Sequence, residues 1–260
     1  MMKNADANAA ETIVIPTNRL SAELKEAANV QKVLLQHEAP SCFLLDCKGQ
    51  SIPAHYLGGD YYGFIYEEEK QKYWVFTGDV MGKGIPAFAK MAMLRTAIRT
   101  LAPQCKGPAD LLEKVNATLY EDLKLLKSFA TLFCGMYNLT DNTFTYASAG
   151  HPNAILKREG KASEFLKANG IAIGFLPNRT YSEKILDLKP NDYICVFTDG
   201  VLEAMNEDKK QFGKEKIIEI VNEHSDYPTL IQTITEQVLT YSNFEQRDDV
   251  TMVTMKRISH

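Results

Sequence analysis

Three strand-like stretches, Phe129–Asn138, Thr143–Ala149 and Ala154–Lys157, follow one another with no room for a helix between them. Parallel neighbours need a crossover of about a dozen residues or more, so these stretches have to pair antiparallel, and a doubly wound parallel sheet fits poorly. Asp141-Asn142 supplies a hairpin turn between the first two. Further strands are expected at Cys42–Cys47, Gly63–Tyr66, Tyr73–Asp79, Ser182–Leu188, Tyr193–Thr198 and Val250–Arg257. Helical periodicity marks Pro86–Leu101 with Pro108–Leu126, and Lys214–His224 with Tyr227–Tyr241. Helices in pairs beside runs of antiparallel strands predict an α+β fold: two antiparallel β-sheets packed as a sandwich and flanked by pairs of helices.

Residues 1–15 are polar and Ala-rich without a period, which predicts a disordered arm. Residues 16–37 form an amphipathic N-terminal helix, with Leu20, Leu24, Ala27, Gln31 and Leu34 at alternating steps of four and three. That a/d spacing suits a short coiled coil through which two copies could form a homodimer, and it suits equally a stripe packed on the chain's own domain. Residues 38–260 contain no linker or repeat and read as one catalytic domain.

The balance of 29 Lys and Arg against 33 Asp and Glu gives a net charge of −4 and no basic field for nucleic acid or an anionic membrane. No apolar run approaches the ~20 residues that cross a bilayer, and a cytoplasmic, soluble enzyme is the expectation. Cys42, Cys47, Cys105, Cys134 and Cys195 are an odd set with no CxxC, so reduced thiols are expected rather than zinc ligands.

Acidic residues end the expected strands: Asp60 in GGDYYGF, Asp79 in FTGDVMGKGIPA, Asp199 in VFTDGVLEA, and Asp248-Asp249 in QRDDVTMV. A carboxylate at a strand end sits at the rim of a sheet, where several strands can bring several acids together. Like charges that close repel and drive one another's pKa up unless cations intervene. Oxygen donors with almost no His are the ligand set of Mg²⁺ and Mn²⁺, and two such ions about 3.5–4 Å apart activate water against a phosphoryl group. Each Asp alone also reads as a turn or cap residue.

Taken in order, GGDYYGF, GDVMGKGIPAFAKM, FATLFCGMYN, YASAGHPNAIL, FTDGVLEAMNEDKKQFG and DDVTMV resemble the PPM (protein phosphatase 2C-like) serine/threonine phosphatases, in their SpoIIE/RsbU-like bacterial subgroup. The resemblance covers roughly residues 41–257. It implies a metal-dependent protein phosphatase with two Mn²⁺ or Mg²⁺ ions and a third bound weakly. Asp79 would bridge both metals, with the Val80 carbonyl completing one shell. Asp199 and Asp248 would hold the second metal, and Asp60 would act on the first through water. Glu203 is either an acid near the third ion or a solvated loop acid. Asp79, Asp199 and Asp248 would carry catalysis, and Asp249 would support them from behind. The subgroup's usual substrate is a phosphorylated anti-anti-sigma (STAS) regulator in a partner-switching stress pathway.

The chain departs from its subgroup at Gly63, where relatives carry a second acid, and this motivates the alternative of a catalytically impaired fold acting as a binding or scaffolding module. Met81 stands where another branch has a His proposed as general acid. His151 in AGHP is either a substitute for that acid or a structural turn residue, and Lys83 is either a phosphate ligand or an exposed loop lysine. GDVMGKG is not a P-loop, since its spacing is wrong and no Ser or Thr follows the lysine. GGDYY lacks the Glu-Phe of the GGDEF cyclase signature.

Overall fold

The computed structural model describes residues 17–35, 38–224 and 226–259. The arm expected at 1–15 lies outside them. Among the described residues, ten strands form two antiparallel sheets, as the strand order demands. The first sheet runs β1 (Leu45–Ile52), β10 (Val250–Arg257), β9 (Tyr193–Phe197), β6 (Ala154–Lys157) and β7 (Glu164–Leu166). The second runs β2 (Asp60–Glu67), β3 (Lys72–Val80), β4 (Ala130–Asn138), β5 (Thr143–Ala149) and β8 (Lys184–Asp187). The hairpin at Asp141-Asn142 is present. Asn142 takes φ 59°, Asp141 accepts from the Thr143 amide and hydroxyl, and Tyr137 donates to Asn142 Oδ1 at 2.8 Å.

Helices α2 (Gly84–Leu101) and α3 (Pro108–Leu125) cover the second sheet, and α5 (Gly213–Glu223) and α6 (Leu230–Tyr241) cover the first. On α2, Ala87, Met91, Leu94 and Ile98 fall at steps of four, three and four and are buried. A core rich in aromatics, with Tyr62, Phe64, Tyr73, Trp74 and Phe76 from β2 and β3, fills the space around the second sheet. Each such side chain contributes about 1.5–3 kcal/mol by leaving water. A smaller cluster, including Val201, Ile217, Leu230, Ile234 and Val250, joins the first sheet to α5 and α6.

Several boundaries shift. β1 starts at Leu45 rather than Cys42 and runs to Ile52, because ladder pairing with β10 carries the polar Gln50 and Ser51 along. β2 begins at Asp60 rather than Gly63, so the acid is the strand's first residue. Tyr227–Thr229 is a 3₁₀ turn with Pro228 inside it, and α6 starts only at Leu230. Short elements that were not expected are the 3₁₀ turn Ala102–Gln104, β7 and the five-residue α4 (Asp199–Glu203). All five cysteines are free. No helix among the described residues is long and apolar enough to cross a membrane.

Helix α1 (Thr17–Leu34) docks on the chain's own domain by its C-terminal end. Gln31 and Leu35 are buried, and Arg95 Nε on α2 donates to the Leu34 carbonyl at 2.9 Å. Leu24, Ala27 and Leu34 are half-buried, while Leu20 and Val33 are exposed. One seam position of the coiled-coil spacing, Gln31, is therefore committed inside the same chain.

Candidate metal centre

The two sheets present their acids to each other at one end. Asp60 and Asp79 are direct partners in the β2–β3 register, so their side chains leave the same face of the second sheet. Asp199 follows β9, and Asp248 precedes β10, on the first sheet. A bond between the sheets ties the two halves: Thr198 Oγ1 donates to Asp60 Oδ2 at 2.8 Å.

Glycines make the approach close enough. A Cβ on Gly59 would lie 2.5 Å from the Val80 carbonyl oxygen, and one on Gly58 would lie 2.1 Å from Asp249 Oδ2. Neither distance admits a side chain, so the GG of GGDYYGF is a requirement of packing. Val80 N donates back to the Gly59 carbonyl at 3.3 Å, which seats Val80 beside the turn that carries Asp60.

Burial and mutual repulsion act on these carboxyls together. Asp60, 3% exposed, is held well above the usual carboxylate range, first by burial and then by the charges of Asp79 and Asp249. Asp79 is pushed up to about 7 by burial, then by Asp199, Asp248 and Asp249. Asp199 is raised by burial, then by Asp248 and Glu203. Two lysines answer part of this charge. Lys83 Nζ lies 3.3 Å from Asp248 Oδ2 and also donates to the Arg247 carbonyl. Lys90 donates to the Met81 carbonyl at 2.6 Å and to Ser128 Oγ at 2.8 Å, and the charge of Asp79 reaches it.

The sequence-expected residues divide by what they touch. Asp249 turns its carboxylate onto the backbone, accepting from Ala54 N and Gly59 N at 2.8 Å each and from Asp60 N at 3.4 Å. Asp248 is about half exposed and faces Lys83. Glu203 is exposed and shares a cavity of about 140 Å³ with Lys83, Arg247 and Asp248. His151 is buried, bonded through Nδ1 to Thr131 Oγ1 at 2.9 Å, and pushed down to about 3 by burial. Burial thus favours its neutral form. Gly63 is three residues along an unbroken β2 ladder from Asp60, hence on the opposite face and about 10 Å away. An acid at that position could not join Asp60.

Among the described residues, no three His, Cys, Asp or Glu side chains already close on one point. Asp60 is bonded to Thr198, Asp249 to amides and Asp248 to Lys83. The donors nonetheless fit hard divalent cations, being carboxylate oxygens with the Val80 carbonyl near them and no soft ligand. Thr198 and Lys90 were missed from sequence. Thr198 was signalled only as a polar residue ending an apolar strand beside Asp199.

Residues 69–258 match the family described as Stage II sporulation protein E (SpoIIE). That span takes in Asp79, Val80, Asp199, Glu203 and Asp248, with Asp60 just before it. Phosphoserine phosphatase RsbU of Bacillus subtilis (strain 168) is 30% identical over 241 residues, covering 92% of this chain and 71% of that protein. Protein IcfG of Synechocystis is 27% identical over 92% of this chain, which spans only 42% of IcfG. Among solved structures, the SiaA-PP2C domain of Pseudomonas aeruginosa superposes with a TM-score of 0.80 at 19% identity, covering 93% of this chain and 98% of that one. The phosphatase domain of SpoIIE from Bacillus subtilis, solved with a fragment of its regulatory domain, gives 0.72 at 16%, covering 84% of this chain and 64% of that one. These two share the fold. The family match and the relationship to RsbU together show that this chain belongs to the SpoIIE/RsbU-like branch of the PPM, or PP2C-like, protein serine/threonine phosphatases.

Proposed function

We propose that the chain is a metal-dependent, cytoplasmic phosphatase acting on phosphoserine or phosphothreonine of an anti-anti-sigma (STAS) protein in a partner-switching circuit. The shared elevation of Asp60, Asp79 and Asp199 carries the metal-dependent part, because acids crowded at one rim call for cations. Asp79 and the Val80 carbonyl would serve a first Mn²⁺ or Mg²⁺ with Asp60 behind them, Asp79, Asp199 and Asp248 a second, and Glu203 a third. Such ions, when bound, lower the pKa of water and clamp a phosphoryl group.

The chain's own residues set the rest. Thr198 and Asp249 orient Asp60, and Lys83 stands at the mouth beside Asp248, where its ammonium can meet a phosphate dianion once Asp248 turns inward. His151, buried and neutral, leaves protonation of the departing serine oxygen to solvent. The substrate class is supported by the name of RsbU, a phosphoserine phosphatase, and by the RsbU and RsbW domains of Rv1364c from Mycobacterium tuberculosis, which share the fold. The position of Gly63, away from Asp60, removes the main reason to read the fold as impaired.

The test is hydrolysis of a phosphorylated STAS protein and of a phosphoserine peptide by chelator-stripped enzyme. Turnover is expected to vanish on stripping and to return with Mn²⁺ or Mg²⁺. Full turnover in excess chelator would sink the metal, and preference for a small phosphoester would sink the protein substrate.

A further inference from the structure

Phe175 is 63% exposed, yet the turn that carries it is pinned to the domain on both sides. Asn116 on α3 is buried and directs both ends of its carboxamide to the residues flanking Phe175: Nδ2 donates to the Leu176 carbonyl at 3.0 Å, and Gly174 N donates to Oδ1 at 2.8 Å. Gly174 takes φ 83°, and a Cβ there would lie 2.6 Å from Leu123 Cδ1, so the turn presses on the same helix. Ile173 and Ala130 exchange both backbone bonds, at 2.8 and 3.0 Å, which ties the turn to the start of β4. A buried amide thus fixes a ring that stays mostly in water and so contributes little to the core.

The ring stands at the rim of the metal centre. Asp79 faces Thr131 in the β3–β4 register, and the Met81 amide donates to the Phe129 carbonyl at 3.0 Å, carrying the pairing one step beyond the strand ends. Side chains alternate along a strand, so Phe129, two residues before Thr131, leaves the same face as the Asp79 carboxylate and farther out. The Phe175 ring meets Phe129 edge-on, with centroids 6.2 Å apart and planes at 80°. Met81 and Leu176 are exposed, so Met81, Phe129, Phe175 and Leu176 form an apolar ledge that begins two residues after Asp79. From Val80 through Ala130 to Ile173 is two strand spacings, about 10 Å, the span of about three extended residues. A small phosphoester held at the metals would leave this ledge wet. A polypeptide that places its phosphate there has chain enough to reach it, and because the four side chains carry no charge, an apolar residue is the one that gains by covering them.

We propose that Phe175 is a specificity-determining residue that binds the phosphoprotein substrate: it receives an apolar side chain lying about three residues from the phosphorylated serine or threonine. This rests on the protein substrate and the metal centre assigned above.

The experiment uses the full chain with Mn²⁺ and two phosphoserine peptides that differ only at the third residue before and the third after the phosphoserine, Leu in one and Ser in the other. The variants are Phe175→Ala and Phe175→Gln, with Ile185→Ala, an exposed position on the edge strand β8, as control. Wild type is expected to favour the Leu peptide about tenfold in kcat/KM, with the difference in KM, as covering one aliphatic side chain would give. Phe175→Ala should bring the ratio of the two peptides to about one, whereas Ile185→Ala should keep it. Phe175→Gln, which retains bulk but is polar, should also lose the preference and carries the test if the Ala variant does not fold. No preference in wild type, or a preference that survives both replacements, overturns the proposal alone. A lower mass of Phe175→Ala in light scattering with the preference intact would assign the ledge to a second copy of the chain and also overturn it. A wild-type enzyme that hydrolyses p-nitrophenyl phosphate but neither peptide nor a phosphorylated STAS protein overturns the protein-substrate reading, and this proposal with it.

Discussion

Asp79→Asn should make the metal-free protein more stable while destroying its activity, and the gain should depend on pH. Asp79 has a folded-state pKa of about 7, against 3.8 for the ordinary carboxyl. Because the folded value is raised, the native state binds the proton more tightly than the unfolded chain. The native state therefore pays no penalty from this group below the unfolded pKa and loses stability as pH climbs from about 4 to about 7. Integrating that window gives a cost of about 4 kcal/mol near pH 8 and under about 2 kcal/mol near pH 5. Asparagine cannot ionise and removes the cost, and it stays close in size to the original side chain. Urea unfolding of both proteins in excess chelator is the assay, with C_m and m compared at the two pH values. The variant should be the more stable at pH 8, with the gap shrinking by about half or more at pH 5. A variant less stable than wild type at pH 8, or a gap independent of pH, would refute the crowded-carboxylate account.

The adjacent acids Asp248 and Asp249 should separate cleanly. Asp248→Asn, at an exposed side chain, should change stability by no more than about 0.5 kcal/mol while cutting turnover by orders of magnitude, whereas Asp249→Asn should cost roughly 2–4 kcal/mol because its amide would face backbone N–H donors. Equal stability losses in urea would contradict the division of roles. Gly63→Asp should bring no gain in Mn²⁺ affinity and should lower stability by about 3 kcal/mol or more, since position 63 is buried and lies on the face away from Asp60. A tighter metal site in that variant would show that the β2 ladder has been misread.

Much of this architecture was legible because it is written in local pattern. The strands from Phe129 to Lys157 left no space for crossovers, helical periodicity over Pro86–Leu101 marked α2, and apolar runs ending in Asp79 and Asp199 placed acids at a rim. Elements too short to show a period escaped: β7 has three residues and α4 five. Boundaries set by pairing rather than propensity also escaped, as where β10 extends β1 to Ile52. At the site, the acids were visible by type but their partners were not. Gln31 looked like a defect in a stripe because Gly58, whose carbonyl its carboxamide bonds, is 27 residues away, and Gly63 looked like a missing ligand because a tripeptide spacing does not say which face of a strand a residue takes.

The centre is divided between two sheets, and the bond from Thr198 to Asp60 crosses the gap. Each sheet is held together by its own backbone hydrogen bonds, whereas the two meet through side chains. The catalytic geometry is thus a gauge of registry between two bodies, and it should fail through slippage before either body melts. Mild urea is then expected to silence hydrolysis while the far-ultraviolet signal of the strands is still intact. Coincident midpoints for activity and secondary structure would mean that the sheets part only when they unfold.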